Sequence, residues 1–518
     1  MASYVPIIVG VGDYVNRSKS PSDALEPLDL ILHAITSAID DTTLTDAAAR
    51  RLQSDIDSVD IVRTWTWPYR NLPGLVAARL GIRPKRTRSG DHGHQPAKLL
   101  DCAARRVSQG ETRVALLGGG EALASLAACA KVRQLPPLGW TSVDEAVSSV
   151  YSPTTKPLKP GLGAVHGMGN PINIYPLYEN SLRAHRQQSR ADNHAESSAL
   201  YGEFAAVAAQ HPYAWSFGRQ HSSEQIGAVS ETNRIINAPY PLLMNAFNTV
   251  NLAAAVIVTS TDYARDLGIP ESQWVYALGG ASTQDNVDFW QRSEYWWSPS
   301  ISRSLDAALD ASGLEKGDVG LYDFYSCFPV VPKLACRHLG LPMVNSPTPI
   351  TILGGLTFFG GAGNNYSMHA ITEMTRQLRQ GRKRTGLILA NGGVLTYHAV
   401  VCLSRSPRHD GLPYPSRNPL ADIIRDVHVP QVDAQADGEG IVETYTVEYS
   451  RNGSPRRGLI VGRLKMNGHR FLANHADIET LQHLCRSDIE PIGRTGWVQT
   501  HADGRNLFSV VQPVAAKL

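Results

Sequence analysis

The feature that most constrains this chain is an internal repetition. Residues 96–122 read PAKLLDCAARRVSQGETRVALLGGGEA, and residues 366–394 read YSMHAITEMTRQLRQGRKRTGLILANGGV. Each stretch holds apolar residues at helical spacing, a Gln-Gly stop, a basic turn, a short apolar strand and consecutive glycines, in the same order. Upstream of each lies a second matching pair. The helix LDLILHAITSAID precedes the strand SVDIVRTWT, and the helix SISRSLDAALDASGL precedes the strand VGLYDFYSCF. The unit helix–strand–loop–helix–strand therefore recurs about 275 residues further on. Helices alternating with buried strands predict an α/β fold of parallel sheets covered by helices. A duplicated unit predicts two such layers packed as pseudo-symmetric halves.

Residues 131–240 break the pattern. They are rich in Pro, Gly, Ser, Tyr and His, with helices expected at 179–190 and 195–209. The segment reads as an insertion over the core, a usual place for ligand contacts. Residues 241–262, PLLMNAFNTVNLAAAVIVTSTD, predict a return to a core helix and strand, and VYALGGAS (275–282) opens the second half. The proline-rich SRSPRHDGLPYPSRNP (404–419) then leads into five short alternating strands: ETYTVEYS, GLIVGRLKM, HRFLANH, GWVQTHA and NLFSVVQ. Asn-Gly and Asp-Gly turns separate some of them, which predicts a small β-barrel, OB-like in form. The expected units are 1–270, a first half carrying the insertion; 271–405, a second half; and 410–518, an additional C-terminal domain.

Composition serves here to exclude. A formal net charge of +2 over 518 residues gives no electrostatic reason to expect nucleic acid or an anionic membrane. No apolar run approaches the roughly 18 residues of a membrane helix. The start MASYVPIIVGVGDYV lacks a basic leader and does not read as a secretion signal. The six cysteines are scattered without a C-x-x-C pair, which argues against zinc knuckles and a disulfide framework and fits a reducing compartment. The terminal Ala516, Lys517 and Leu518 are similar to a peroxisomal address, so peroxisomal import through its receptor is expected, and otherwise a cytoplasmic location.

The loop GGLTFFGGAGNNYSMHA (354–370) is the main candidate for chemistry. It lacks the lysine of a phosphate loop, and the third glycine of a dinucleotide fingerprint falls on Tyr366. It enters a helix at about 364–367 and so presents N–H groups at a positive helix end. The first half carries a counterpart, GDHGHQP (90–96), with proline in the first helical turn. Two helix starts facing one cavity can stabilise an enolate or oxyanion. His92 and His94 have no third ligand at metal spacing, so no metal is expected.

Together these motifs resemble the thiolase superfamily over about residues 5–405. The resemblance is nearest to the sterol-carrier-type thiolases and to the type 1 thiolase-like proteins with an additional C-terminal domain. It implies a duplicated, layered α/β/α/β/α fold and a homodimer. It also implies an acyl-CoA or other acyl thioester as substrate, with no tightly bound cofactor. The family's catalytic groups are replaced. The nucleophile region reads GDHGHQPAKLL, with Cys102 about two helical turns inside the helix. The G-H-P motif reads Gly360-Gly361-Ala362, the C-x-G motif falls in Ala390-Asn391-Gly392-Gly393, and H-D-C-F reads Tyr325-Ser326-Cys327-Phe328.

Acyl transfer through an acyl-cysteine needs a thiolate beside a base, and none stands at the expected place. Tyrosine and histidine can exchange protons with an enolising substrate, and asparagine can donate to an oxyanion. The candidate catalytic residues are therefore Tyr325, His94, His369, His398 and Asn391, with Gly361, Asn364, Asn365 and Tyr366 in the loop. This set is similar to that of thiolase-fold aldolases that lack the cysteines, use tyrosines and work with an OB-fold partner domain. The expected activity is acyl transfer, or carbon–carbon bond formation or cleavage beside a thioester. A non-catalytic acyl-CoA-binding scaffold and a displaced nucleophile at Cys102 or Cys327 are the alternatives. Cys327 reaches the cavity only in one strand register.

Overall fold

The computed structural model describes residues 4–144, 147 and 158–512. The tripeptide 516–518 and part of the predicted insertion lie outside the described residues. The strands are β1 Pro6–Val15, β2 Ile56–Val62, β3 Arg86–Gly90, β4 Val114–Ala122, β5 Ile235–Asn237, β6 Tyr240–Pro241, β7 Asn251–Ser260 and β8 Val275–Gln284. They continue with β9 Leu321–Phe324, β10 Thr385–Gly392, β11 Tyr397–Ser404, β12 Gly438–Tyr449, β13 Pro455–Leu464, β14 Arg470–His475, β15 Thr495–Thr500 and β16 Asn506–Ser509.

The first half orders its strands β3-β2-β4-β7-β1, and the second β8-β11-β10-β9. They join where β1 pairs with β8 through Ile7 and Ile8. The duplication extends to a detail. Residues 349–350 run beside β9 as β3 runs beside β2, with Tyr322 and Phe324 N–H donating to the Pro349 and Ile350 carbonyls at 2.9 and 3.1 Å. Neither half is purely parallel, as the alternation had suggested. β7 runs antiparallel to β4 and β1, and β11 antiparallel to β10 and β8. The turn between β10 and β11 is too short for a crossover, so these two strands must pair antiparallel.

Five layers result. The outer helix Pro27–Asp40 packs on β1, β4 and β7, and the outer helix Pro299–Ser312 on β8 and β11. Leu28, Ile31, Ala34, Ile35 and Ala38 put one apolar stripe of the first of these onto the sheet. Gly10 and Gly12 let it come so close that a Cβ on either would collide with its backbone. Between the sheets lie two inner helices, Gln95–Ser108 and Tyr366–Arg379, which contact each other and strands of both halves. An inner helix must be buried nearly all round, and 11 of 14 residues of Gln95–Ser108 are. Its buried charges are paired: Arg105 with Asp101 at 2.8 Å and Arg106 with Asp60 at 2.5 Å.

The insertion helices are Pro171–His185 and Arg190–Gln210, both starting earlier than the apolar spacing had suggested. Pro171 opens the first, and the Ser189 side chain caps the second by accepting from Asp192 N–H. The helix expected after residue 241 is only the single turn Leu242–Met244. Asn245 Nδ2 donates to the Pro241 carbonyl, and Phe247 then bonds through its backbone to the glycine loop.

In the C-terminal region β12-β13-β14-β16-β15 close back onto β12, with β14 and β16 parallel. This closed five-stranded barrel has the expected OB-like form. The helix Ile478–Cys485 between β14 and β15, capped by Asp477, had no counterpart in the sequence reading. The barrel is tied to the insertion: β5 pairs with β12, and Asn180 Nδ2 donates to the Tyr445 carbonyl at 2.9 Å. Among the described residues no helix is long and apolar enough to cross a membrane.

Candidate functional site

The two inner helices begin side by side. Asn364 Nδ2, just before the second, donates to Asp91 Oδ1, just before the first, at 3.0 Å, and to the Arg63 carbonyl at 3.0 Å. Asn365 Nδ2 donates to the Gly119 carbonyl at 2.7 Å. The glycine loop reaches this place through one π-helical turn, Leu356–Gly360, a conformation often found at functional sites. Gly354, Gly355, Gly360 and Gly363 have positive φ, which a side chain would strain. Tyr366 opens the helix, lies beside Asp323 and meets the Tyr325 ring edge-on at 5.5 Å.

Tyr325 continues the line of β9, its N–H held by the Leu389 carbonyl at 2.9 Å. Its hydroxyl has no hydrogen-bond partner among the described residues and lies against the start of the first inner helix. A Cβ on Gly93 would stand 2.9 Å from that oxygen and 2.5 Å from the Asn391 carbonyl oxygen. Cys327 lies within electrostatic reach of Tyr325, Tyr175 and Tyr201, so the strand has the register that turns it toward this cluster. Asn391 Nδ2 donates to Tyr175 Oη at 2.8 Å and lies 3.8 Å from Cys327 Sγ. The neighbourhood is nearly closed: Tyr325 is 6% and Cys327 8% exposed, against 1% for Asn391 and Asn364. Burial, reinforced by Cys327, holds the Tyr325 hydroxyl well above its ordinary range, so it stays protonated. Burial also pushes the Cys327 thiol up to about 12, the opposite of what a nucleophile needs.

The three candidate histidines go to different places. His94 stands at the N-cap position of the first inner helix without a side-chain capping bond, and its ring stacks on Tyr397 with centroids 5.1 Å apart. Burial, then the charges of Lys98, His92 and His398, holds it well below the usual range, so it is neutral with Nδ1 unpartnered. His398 lies opposite Asn391 across β10 and β11, with Nδ1 2.8 Å from Ser300 Oγ, which donates to Asp285 at 2.9 Å. Burial, then Arg292, pushes it down to about 3. His369 pairs through Nδ1 with Asp13 at 2.5 Å, and Asp13 also binds Arg376 at 2.6 Å. The structure thus brings Tyr325, Tyr366, Asn391 and the His94 helix start together. It seats His398 on Ser300 and His369 on Asp13.

Three groups here were not legible in the sequence. Tyr175 and Tyr201 come from the insertion helices, where only the fold brings them to Cys327. Glu121, next to last in β4, accepts from Trp65 N–H at 2.5 Å, Thr66 N–H at 3.1 Å and the Thr66 hydroxyl, and lies against Gly363. Burial raises its carboxyl to about 7.

Known structures can be set against this geometry. A monomeric SCP2-thiolase-like protein type 1 from Mycobacterium smegmatis is 30% identical, with 98% of this chain and 99% of that one covered at a TM-score of 0.78. This chain belongs to the SCP2-thiolase-like protein type 1 family. The model of the thiolase-like protein type 1 additional C-terminal domain also matches residues 419–505 of this type 1 protein. An Ltp2–ChsH2(DUF35) aldolase (18% identity, 77% of this chain and 98% of that one, TM-score 0.57) shares the fold. So does the dimeric peroxisomal thiolase of Saccharomyces cerevisiae (12% identity, 78% and 98%, TM-score 0.55). No curated protein matches the sequence. The homodimer expected from the superfamily gains no support, since the M. smegmatis relative is monomeric.

Proposed function

We propose that this type 1 protein acts on an acyl thioester, of coenzyme A or another thiol, and makes or breaks a carbon–carbon bond beside the thioester carbonyl. It does so without an acyl-cysteine intermediate. The observation that carries the reading is the protonated Tyr325 hydroxyl, without a partner among the described residues, at the positive start of an inner helix. The aldolase and thiolases that share the fold support the class of chemistry.

In the cleavage direction, neutral His94 takes the proton of a hydroxyl on the carbon β to the thioester carbonyl through Nε2, which the Gln95 amide holds at 3.3 Å in the free protein. The bond between the α and β carbons breaks, and its electron pair passes into a thioester enolate. Tyr325 O–H and the helix start stabilise the oxygen of that enolate. The proton returns to the α carbon, and a carbonyl product and a shortened thioester leave. The reverse sequence forms the bond.

The test is turnover of a panel of 3-hydroxyacyl- and 3-ketoacyl-CoA thioesters by the wild type, Tyr325→Phe and His94→Ala. Loss of a general acid or base is expected to lower turnover by about 100-fold or more. Unchanged turnover in both variants ends the assignment. Binding of CoA thioesters without turnover across the panel favours a binding scaffold.

A further inference from the structure

Gly361 stands where the resemblance places a histidine, and the Asn248 side chain takes the space beside it. A Cβ built on Gly361 would meet Asn248 Oδ1 at 2.5 Å and the Phe247 carbonyl oxygen at 3.3 Å. Asn248 is held there by backbone bonds on both sides. Phe247 N–H donates to the Leu356 carbonyl at 3.1 Å, Gly361 N–H to the Phe247 carbonyl at 2.7 Å, and Val250 N–H to the Asn248 carbonyl at 2.9 Å. Thr357 Oγ1 adds a bond to the Asn245 carbonyl at 2.8 Å. The stretch after residue 241, where the sequence predicts a helix, is thus fastened to the glycine loop.

These bonds use backbone and hydroxyl groups. The side-chain amide of Asn248 has no hydrogen-bond partner among the described residues. It is half-buried beside an exposed Phe247, so it lies where the loop opens to solvent. With Oδ1 turned to Gly361, Nδ2 is the atom left to a ligand.

We propose that Asn248 is a ligand-binding residue of this site, its Nδ2–H donating to the carbonyl oxygen of the acyl thioester in place of a loop histidine. The inference rests on the function proposed above. An amide donates a hydrogen bond but takes up no proton at working pH. Asn248 therefore selects and polarises the carbonyl together with Tyr325, while proton transfer remains with His94.

Calorimetric titration with acetyl-CoA and with S-ethyl-CoA, a thioether that lacks the carbonyl oxygen, tests this on the full chain. The wild type is expected to bind acetyl-CoA about 5–10-fold more tightly than the thioether, the range of one hydrogen bond. Asn248→Ala is expected to lose most of that preference, Tyr325 and the helix start keeping the rest, while its melting temperature stays that of the wild type. Asn248→Asp, which offers only acceptors, should lose at least as much of it. Discrimination retained in both variants overturns the assignment of Asn248 alone. Failure of the wild type to bind either compound overturns the thioester reading itself.

Discussion

The hydroxyl of Tyr325 and the backbone of Gly93 leave no space between them for a methyl group: a Cβ on Gly93 would lie 2.9 Å from Tyr325 Oη. The end of a strand of one half therefore meets the helix start of the other in close contact. Gly93→Ala is expected to fill that contact and to displace the Asn391 carbonyl as well. Turnover or thioester binding should fall by about 10-fold or more, with a loss of stability within roughly 1–3 kcal/mol. Kinetics and chemical denaturation of one preparation check both. Full activity in a stably folded Gly93→Ala protein would place the chemistry elsewhere.

Cys327 provides a contrasting case. Its thiol faces the tyrosine cluster but is pushed up to about 12 by burial, so almost none is ionised at neutral pH. Cys327→Ala is expected to change turnover by less than about 3-fold, and intact-mass spectra after mixing with acyl-CoA should show no added acyl group. An acyl adduct on the wild type that vanishes in Cys327→Ala would revive the cysteine mechanism.

Much of this was legible in the chain. The repeated Gln109-Gly110 and Gln380-Gly381 stops marked both inner helices, and the turn dipeptides marked the barrel, because helix ends and hairpins are written locally. Tyr325 was legible as a polar residue at a motif position. Tyr175, Tyr201, Glu121 and Asn248 were not, because each reaches the site by tertiary packing rather than by spacing. Phe247–Val250 shows the limit well: its apolar content suggested a helix, and bonds to a loop about 110 residues away decided otherwise.

Glu121 makes a pH prediction with a definite sign. Its carboxyl is raised to about 7 in the folded protein from an ordinary value of 4.5, chiefly by burial. Between those values the native state keeps a proton that the unfolded chain releases. Its contribution is fully present below about pH 4.5 and is lost as pH climbs to 7, by roughly 3 kcal/mol in all. His398, pushed down to about 3, acts in the opposite sense and favours folding as pH rises from 3 to 6.5. The wild-type curve mixes the two, so the difference between wild type and Glu121→Gln is the measurement. That difference should shift in favour of the variant from pH 4.5 to 7. A pH-independent difference would mean that Glu121 is ionised throughout.

Arg470 sets the coupling between barrel and body. It is fully buried on β14, and its guanidinium donates to Glu443 at 2.5 and 2.8 Å and to the carbonyls of Trp290, Arg292 and Ser293 in the second half. One side chain thus joins a barrel carboxylate to three backbone acceptors of another unit, which only a planar fork with five donors can do. Arg470→Met keeps most of the volume but leaves those carbonyls without donors and Glu443 with Arg463 as its remaining cation, at 3.1 Å. Breaking a buried pair from one side costs about 3–5 kcal/mol. The loss should fall on the contact between the units rather than within either core. Hydrogen exchange of β12–β16 amides at rising denaturant, against far-ultraviolet circular dichroism of the whole chain, is expected to show the barrel transition moving to lower denaturant and separating from the main one. Arg470→Lys, which keeps the charge but loses the fork, should fall between. A single unshifted transition in Arg470→Met would mean that the β5–β12 pairing and the Asn180–Tyr445 bond hold the barrel in place without this residue.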